Sequence, residues 1–232
     1  MNKSIQLFLL PFAGGSATVY KKLIDGFSSL IEPIVVEYSG RGIRNHEPFI
    51  TNYDLFLEDV YHSFMRSRNR EIPFAILGYS LGSAIAFDLV TQYINEEPEH
   101  VFMCARGNLQ SDCETKRYSI LSEGEFVDKI TQLGGIDKRI IENKRFRDIF
   151  LKPLKADYQI WSQYKYNNKT IESDLTIMYS HYDQTCENIN GWCNLTLGSI
   201  DFYDLGTNHF FINDNYKEMA DIINQKLCGT KI

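Results

Sequence analysis

Six short apolar runs, each continuous rather than alternating, constrain the fold of this chain more than any other feature. They are Ile5–Pro11, Ile34–Tyr38, Phe74–Tyr79, Val101–Ala105, Leu175–Ser180 and Ile200–Leu205. A strand that is buried on both faces needs an apolar residue at nearly every position, as in a parallel sheet covered from both sides. Parallel neighbours also need crossover connections, and the stretches between the runs have helical periodicity. Ser83–Ile94 has apolar residues at 85, 86, 89, 90, 93 and 94. Tyr216–Leu227 carries Tyr216, Met219, Ile222, Ile223 and Leu227 on one face, with Gly229 placed to stop the helix. The pattern predicts an α/β architecture, a mostly parallel sheet flanked by helices.

The alternation is interrupted once. Between Ala105 and Leu175 no run reads as a strand. Ser122-Glu123-Gly124-Glu125 has capping-box spacing, with Phe126, Val127, Ile130 and Leu133 following at helical intervals before Gly134-Gly135. A second helical run carries Phe146, Ile149, Phe150 and Leu154, and Pro153 is expected to kink or break it. The sequence therefore predicts one domain over residues 1–232 with a helical insertion at about 107–170. At 232 residues and 44% hydrophobic, the chain is long enough to bury a core without disulfides or a structural metal.

Charge is informative once it is divided. The net value of −6 argues against a nucleic-acid binder, which would need a basic face. Residues 106–169 hold 13 Lys/Arg and 9 Asp/Glu, or +4, while the rest hold 11 and 21, or −10. No stretch approaches the ~20 apolar residues that cross a bilayer. The opening residues resemble a weak signal peptide, but Gln6 interrupts the apolar run and Pro11 ends it, so a buried first strand fits better. The five cysteines (Cys104, Cys113, Cys186, Cys193 and Cys228) form no CxxC pair and have no histidine cluster at zinc spacing. The expectation is reduced thiols in a cytoplasm, no metal and no cofactor.

Gly78-Tyr79-Ser80-Leu81-Gly82 is a GxSxG sequence lying between a strand-like run and a helix-like run. In that context a serine sits on a sharp strand–turn–helix elbow with its hydroxyl exposed. A serine hydroxyl needs a base to take its proton. Of His46, His62, His100, His181 and His209, the last lies just past the final strand-like run, where a loop at the carboxyl edge of the sheet reaches the elbow. His181 competes, because it also ends a strand. An acid should fall between nucleophile and histidine. Asp183, in the loop after Leu175–Ser180, fits best, and Asp112 is the rival. A tetrahedral intermediate also needs oxyanion donors. These are expected from the Leu81 amide and from the loop Pro11-Phe12-Ala13-Gly14-Gly15-Ser16, whose glycine spacing matches neither GxGxxG nor GxxxxGK[ST].

Taken together, these stretches resemble the type II thioesterases, free-standing editing enzymes of nonribosomal peptide and polyketide assembly lines. Leu10–Ser16 is similar to that family's opening motif, Gly40-Arg41-Gly42 to the end of its arginine loop, and Gly78–Gly82 to its serine elbow. Leu133-Gly134-Gly135 and Leu154-Lys155-Ala156-Asp157-Tyr158 resemble two lid signatures, and His209-Phe210-Phe211 its histidine loop. Tyr79 and Leu81 stand where the family often has His and Met, Ser39 where it has Pro, and Asn208 where it has Gly. Asn tolerates positive φ, so position 208 is expected to keep a left-handed turn.

The resemblance implies an α/β-hydrolase fold with a lid. It also implies hydrolysis of acyl or aminoacyl thioesters on the phosphopantetheine arm of acyl or peptidyl carrier protein domains. Ser80, His209 and Asp183 would form the triad, with the Ala13 and Leu81 amides as oxyanion donors. The basic insertion, including Arg145, Lys152 and Lys155, would face an acidic carrier protein. A monomer, with no nucleic acid or membrane partner, is the default. A carboxylesterase or acyltransferase on the same fold, and an inactive hydrolase-like binding module, are the alternatives.

Overall fold

The computed structural model describes residues 4–110, 114–134 and 143–229. Six parallel strands, β1 (Ile5–Leu10), β2 (Ile31–Val35), β3 (Phe74–Tyr79), β4 (Val101–Cys104), β5 (Leu175–Tyr179) and β6 (Ile200–Asp204), form one sheet in the order β2-β1-β3-β4-β5-β6. The described helices are α1 (Lys21–Ile24), α2 (Tyr53–Ser67), α3 (Leu81–Asp88), α4 (Glu123–Gln132), α5 (Lys144–Gln163) and α6 (Tyr216–Cys228).

Both sheet faces are apolar because successive strand side chains point to opposite sides. Phe8, Leu10, Phe74, Ile76 and Met103 pack with Phe56, Val60 and Phe64 of α2 and Ile85 of α3. Leu7, Leu9, Ala75, Leu77 and Phe102 pack instead with Leu23 of α1 and with Met219, Ile222 and Ile223 of α6. The rings of Phe8 and Phe64 lie 4.3 Å apart and those of Phe64 and Phe74 5.5 Å apart. Each such buried side chain contributes about 1.5–3 kcal/mol. An exposed pair such as Lys155–Glu123 contributes about 0–1 kcal/mol, so burial dominates.

Local signals explain the helix ends. The Asn52 side chain accepts from the Leu55 amide at the start of α2, and Ser122 and Glu125 form the reciprocal capping box of α4. Gly229 closes α6 at φ 67, a conformation that costs glycine little.

Two expectations are corrected. The second strand is Ile31–Val35, three residues earlier than its apolar run. It is an edge strand whose extent is set by pairing Ile5 with Ile31 through Leu9 with Val35, and Pro33 is tolerated there. Val36 and Tyr38 are buried beyond the ladder. Helix α3 (Leu81–Asp88) continues without a break as a π-helical stretch over Leu89–Tyr93, in keeping with the helical periodicity of Ser83–Ile94. There the Thr91 hydroxyl donates to the Phe87 carbonyl and Ile94 N donates to Leu89 O. Of the kink or break expected at Pro153, the break does not occur, and helix α5 runs through that residue. Ile149, whose carbonyl loses its helical partner there, is exposed to water.

Asp88 is buried at the end of α3. It accepts from Tyr53 Oη (2.6 Å) and Asn167 Nδ2 (2.9 Å), tying α2 and the end of the insertion to α3. Burial pushes its carboxyl up to about 6, against the hydrogen bonds from Tyr53 and Gln92 that favour the ionised form. Because the folded value lies above the unfolded one, this group's stabilising contribution is full below about pH 4 and is lost as pH rises through 6. At ~1.4 kcal/mol per unit the total is about 3 kcal/mol. Urea unfolding of wild type and Asp88→Asn at pH 4 and pH 7.5 should show the variant lacking that part of the pH dependence. Parallel pH profiles for the two proteins would refute it.

Candidate active site

The carboxyl ends of β1, β3, β5 and β6 open on one edge of the sheet, and the loops leaving them converge there. Ser80 joins β3 to α3 with φ 54 and ψ −109. Such a backbone costs a non-glycine residue about 1–3 kcal/mol and persists only where its surroundings over-determine it. They do so here. A Cβ on Gly78 would lie 2.3 Å from Gly82 O, and one on Gly82 would lie 2.1 Å from Leu10 O. The Ser80 amide donates to Cys104 O (2.8 Å) and the Ser83 hydroxyl to Gly78 O (2.8 Å).

Ser80 Oγ is 3.0 Å from His209 Nε2, and His209 Nδ1 is 2.7 Å from Asp183 Oδ2. His209 follows β6, and its carbonyl accepts from Tyr79 Oη (2.8 Å). Asp183 follows β5. Its Oδ1 accepts from the Thr185 amide (2.9 Å) and hydroxyl (2.8 Å), and its Oδ2 also takes the Cys186 thiol at 3.3 Å. Thr185 Oγ1 lies 3.0 Å from His209 Nδ1, so one hydroxyl holds both acid and imidazole in register. All three residues in the row are buried.

Burial alone would raise the Asp183 carboxyl, but the hydrogen bond and charge of His209, with the Thr185 donors, outweigh it and hold it below its ordinary value. Burial pushes the adjacent Cys186 thiol up, so it stays a neutral donor. An ionised Asp183 can only accept, so Nδ1 carries the imidazole proton and the Nε2 lone pair faces Ser80 Oγ.

The loop after β1 forms a tight turn closed by Gly15 N to Phe12 O (2.8 Å), with Gly14 at φ 77. Ala13 holds the second position of that turn, where the amide takes no part in closing it. Leu81 is the first residue of α3, so its amide has no acceptor within the helix. Ala13 and Leu81 line one cavity of ≈ 20 Å³ with Ser80 and His209. Its roof is the insertion, through Leu133, Tyr158 and Trp161. A larger cleft of ≈ 300 Å³ runs from Leu133 and His209 out past Lys129, Gln132, Tyr182 and Gln184.

The other histidines sit elsewhere. His181 pairs through Nδ1 with Asp204 (2.6 Å), His62 lies 3.7 Å from Glu58, and His100 bonds Thr176 (2.7 Å) with its pKa pushed down to about 4 by burial. Asp112 lies outside the described residues. Asn208 does not take the left-handed turn. Its side chain accepts from Phe210 N (2.7 Å), an Asx turn that does the work expected of positive φ. Thr185, Thr115, Arg106 and Trp161 were not singled out from the sequence. Only Thr185 had a local signal, two residues after an Asp in an Asx-turn pattern. Among the described residues no group of three or more His, Cys, Asp or Glu is arranged to hold a metal, and no helix is long and apolar enough to cross a membrane.

Residues 5–227 match the family described as thioesterase domain. The gramicidin S biosynthesis protein GrsT of Aneurinibacillus migulanus is 28% identical over 96% of this chain and 89% of its own. The crystal structure of ClbQ, from the colibactin NRPS/PKS pathway, superposes with a TM-score of 0.86 at 25% identity, over 97% of each chain. BorB, a type II thioesterase from the borrelidin biosynthetic cluster, superposes at 0.84 with 22% identity over 97% of this chain and 93% of its own.

Proposed function

Because this chain belongs to the thioesterase domain family and is a thioester hydrolase, we propose that it is a type II thioesterase that clears acyl groups from the phosphopantetheine arm of carrier proteins. The hydrogen-bonded row Asp183–His209–Ser80 beneath a helical roof carries this reading. The similarity to GrsT, a gramicidin S biosynthesis protein, and to ClbQ, from the colibactin NRPS/PKS pathway, supports the carrier-protein substrate.

In this reading Ser80 Oγ attacks the thioester carbonyl while His209 Nε2 takes its proton, and Asp183 stabilises the resulting imidazolium. The carbonyl oxygen becomes an oxyanion facing the Leu81 and Ala13 amides. The C–S bond then breaks and the pantetheine sulfur leaves with the proton from His209. Water, deprotonated by His209, attacks the acyl-Ser80 ester, releasing the carboxylic acid and restoring the hydroxyl. The arm reaches Ser80 along the cleft past Lys129 and Gln184. The ≈ 20 Å³ cavity holds little more than a water, so the roof must shift to admit an acyl group. The exposed face of the insertion meets the carrier protein through residues such as Lys152, whereas Lys155 already spends part of its charge on Glu123 (2.8 Å).

Incubation with acetyl-, aminoacyl- and longer acyl-carrier proteins should release the free acids faster than the same acyl groups are released from simple oxygen esters. Preference for the oxygen ester would favour the carboxylesterase alternative. Transfer of the acyl group to an added acceptor, in place of hydrolysis, would indicate an acyltransferase.

A further inference from the structure

Two motifs of the sequence, the Arg41 loop and the Leu154–Tyr158 stretch, meet in a place the chemistry above leaves unused. Asp157 on α5 is fully buried. Its Oδ1 accepts from Arg41 Nη2 (2.7 Å) and its Oδ2 from Arg41 Nη1 (2.6 Å), a two-pronged ion pair between segments 116 residues apart. The same Oδ2 accepts from the Gly14 backbone amide (2.7 Å). Arg41 Nη1 also reaches Gly15 O (3.4 Å). One helical turn earlier on α5, Leu154 rests on Gly14 so closely that a Cβ there would lie 2.8 Å from Leu154 Cγ.

Gly14 is the residue after Ala13, within the turn that presents the Ala13 amide. The sheet side of the loop is held by body residues, through Tyr20 Oη to Leu10 O (2.7 Å) and Tyr38 Oη to Pro11 O (3.0 Å). Those bonds stop before the turn. The Gly14 N–H donates to the carboxylate on the roof helix, so the Ala13–Gly14 peptide is tied to the insertion.

We infer that Asp157 is a positioning residue that couples seating of the helical roof to assembly of the oxyanion site. With α5 seated, the carboxylate fixes the Gly14 amide and thereby the orientation of the Ala13 turn. With α5 lifted to admit substrate, the turn loses its anchor and Arg41 loses its counter-charge. Oxyanion stabilisation is then complete only with the roof closed over a bound acyl group. The inference rests on the reading of Ser80 as nucleophile and Ala13 as an oxyanion donor.

The test uses Asp157→Asn in the full chain, with rates normalised to the fraction of protein whose Ser80 a fluorophosphonate labels. One lost oxyanion donor typically costs about 10²–10³ in kcat, so a misaligned one should cost about 10–100-fold while KM for an acyl-carrier substrate moves little. An alkyl trifluoromethyl ketone reports the oxyanion directly, since Ser80 Oγ adds to its carbonyl and the oxygen becomes anionic. Its Ki should rise by the same factor as kcat/KM falls. Normalised kcat and Ki within about threefold of wild type, with only the melting temperature lowered, would make the ion pair a purely structural tie and overturn the inference. Should Asp157→Asn not fold, Asp157→Glu keeps a charge for Arg41 while displacing the carboxylate from Gly14, and the same comparison decides. If wild type neither hydrolyses thioesters nor binds the ketone, the proposed function itself fails and the inference falls with it. A wild type that does both, beside an unaltered variant, removes the inference alone.

Discussion

Ser80→Ala should lower kcat for acyl-carrier hydrolysis by on the order of 10⁶-fold while leaving the fold intact. Alanine removes the attacking oxygen itself, leaving His209 Nε2, 3.0 Å from Ser80 Oγ in the native site, with nothing at position 80 to deprotonate. Alanine occupies the elbow with less volume and meets the same φ of 54, so stability should fall only modestly. The measurement is the rate of acid release under single-turnover conditions, together with intact mass after acyl-carrier treatment, which should show no acyl adduct. A variant within about tenfold of wild type would remove Ser80 from the mechanism.

Asp183→Asn should lower kcat by roughly 10⁴-fold, by reversing a proton rather than deleting a group. The native carboxylate only accepts, which keeps the proton on His209 Nδ1. An asparagine amide donates to Nδ1 instead, stabilising the tautomer whose Nε2 carries the proton and cannot receive one from Ser80. The Thr185 amide and hydroxyl can still donate to the asparagine oxygen, so the loop should keep its shape. Comparison with Asp112→Asn completes the experiment. A large loss at Asp112 and a small one at Asp183 would mean that the acid has been misassigned.

Much of the fold, and the geometry of the turn at Ser80, is legible in the sequence, for reasons particular residues make plain. Gly78 and Gly82 flank a serine that needs a side-chain-free approach on both sides, and both approaches are made by neighbouring backbone. Ser122 and Glu125 satisfy each other within one turn. The apolar run does not mark the edge strand, because the buried Val36–Tyr38 segment lies beyond the ladder whereas Pro33 lies inside it. Apolar pattern reports burial, and pairing is a separate matter. The left-handed expectation at Asn208 failed because a side-chain hydrogen bond to Phe210 N supplied the turn by another route.

Sequence by itself determined the parallel α/β architecture, the elbow at Ser80, the capping box of α4, the Gly229 stop of α6 and the helical character of the insertion. Each depends on residues within a few positions of one another, where side-chain periodicity and backbone preference act directly. Only the tertiary structure decided which distant loops meet. Strand order β2-β1-β3-β4-β5-β6 sets the loops after β5 and β6 beside the elbow and brings α5 down on the loop after β1. It thereby joins Ser80 to His209 across 129 residues, and Arg41 and Gly14 to Asp157 across 116 and 143. No local pattern encodes such contacts, because they arise from how whole strands pair and helices pack.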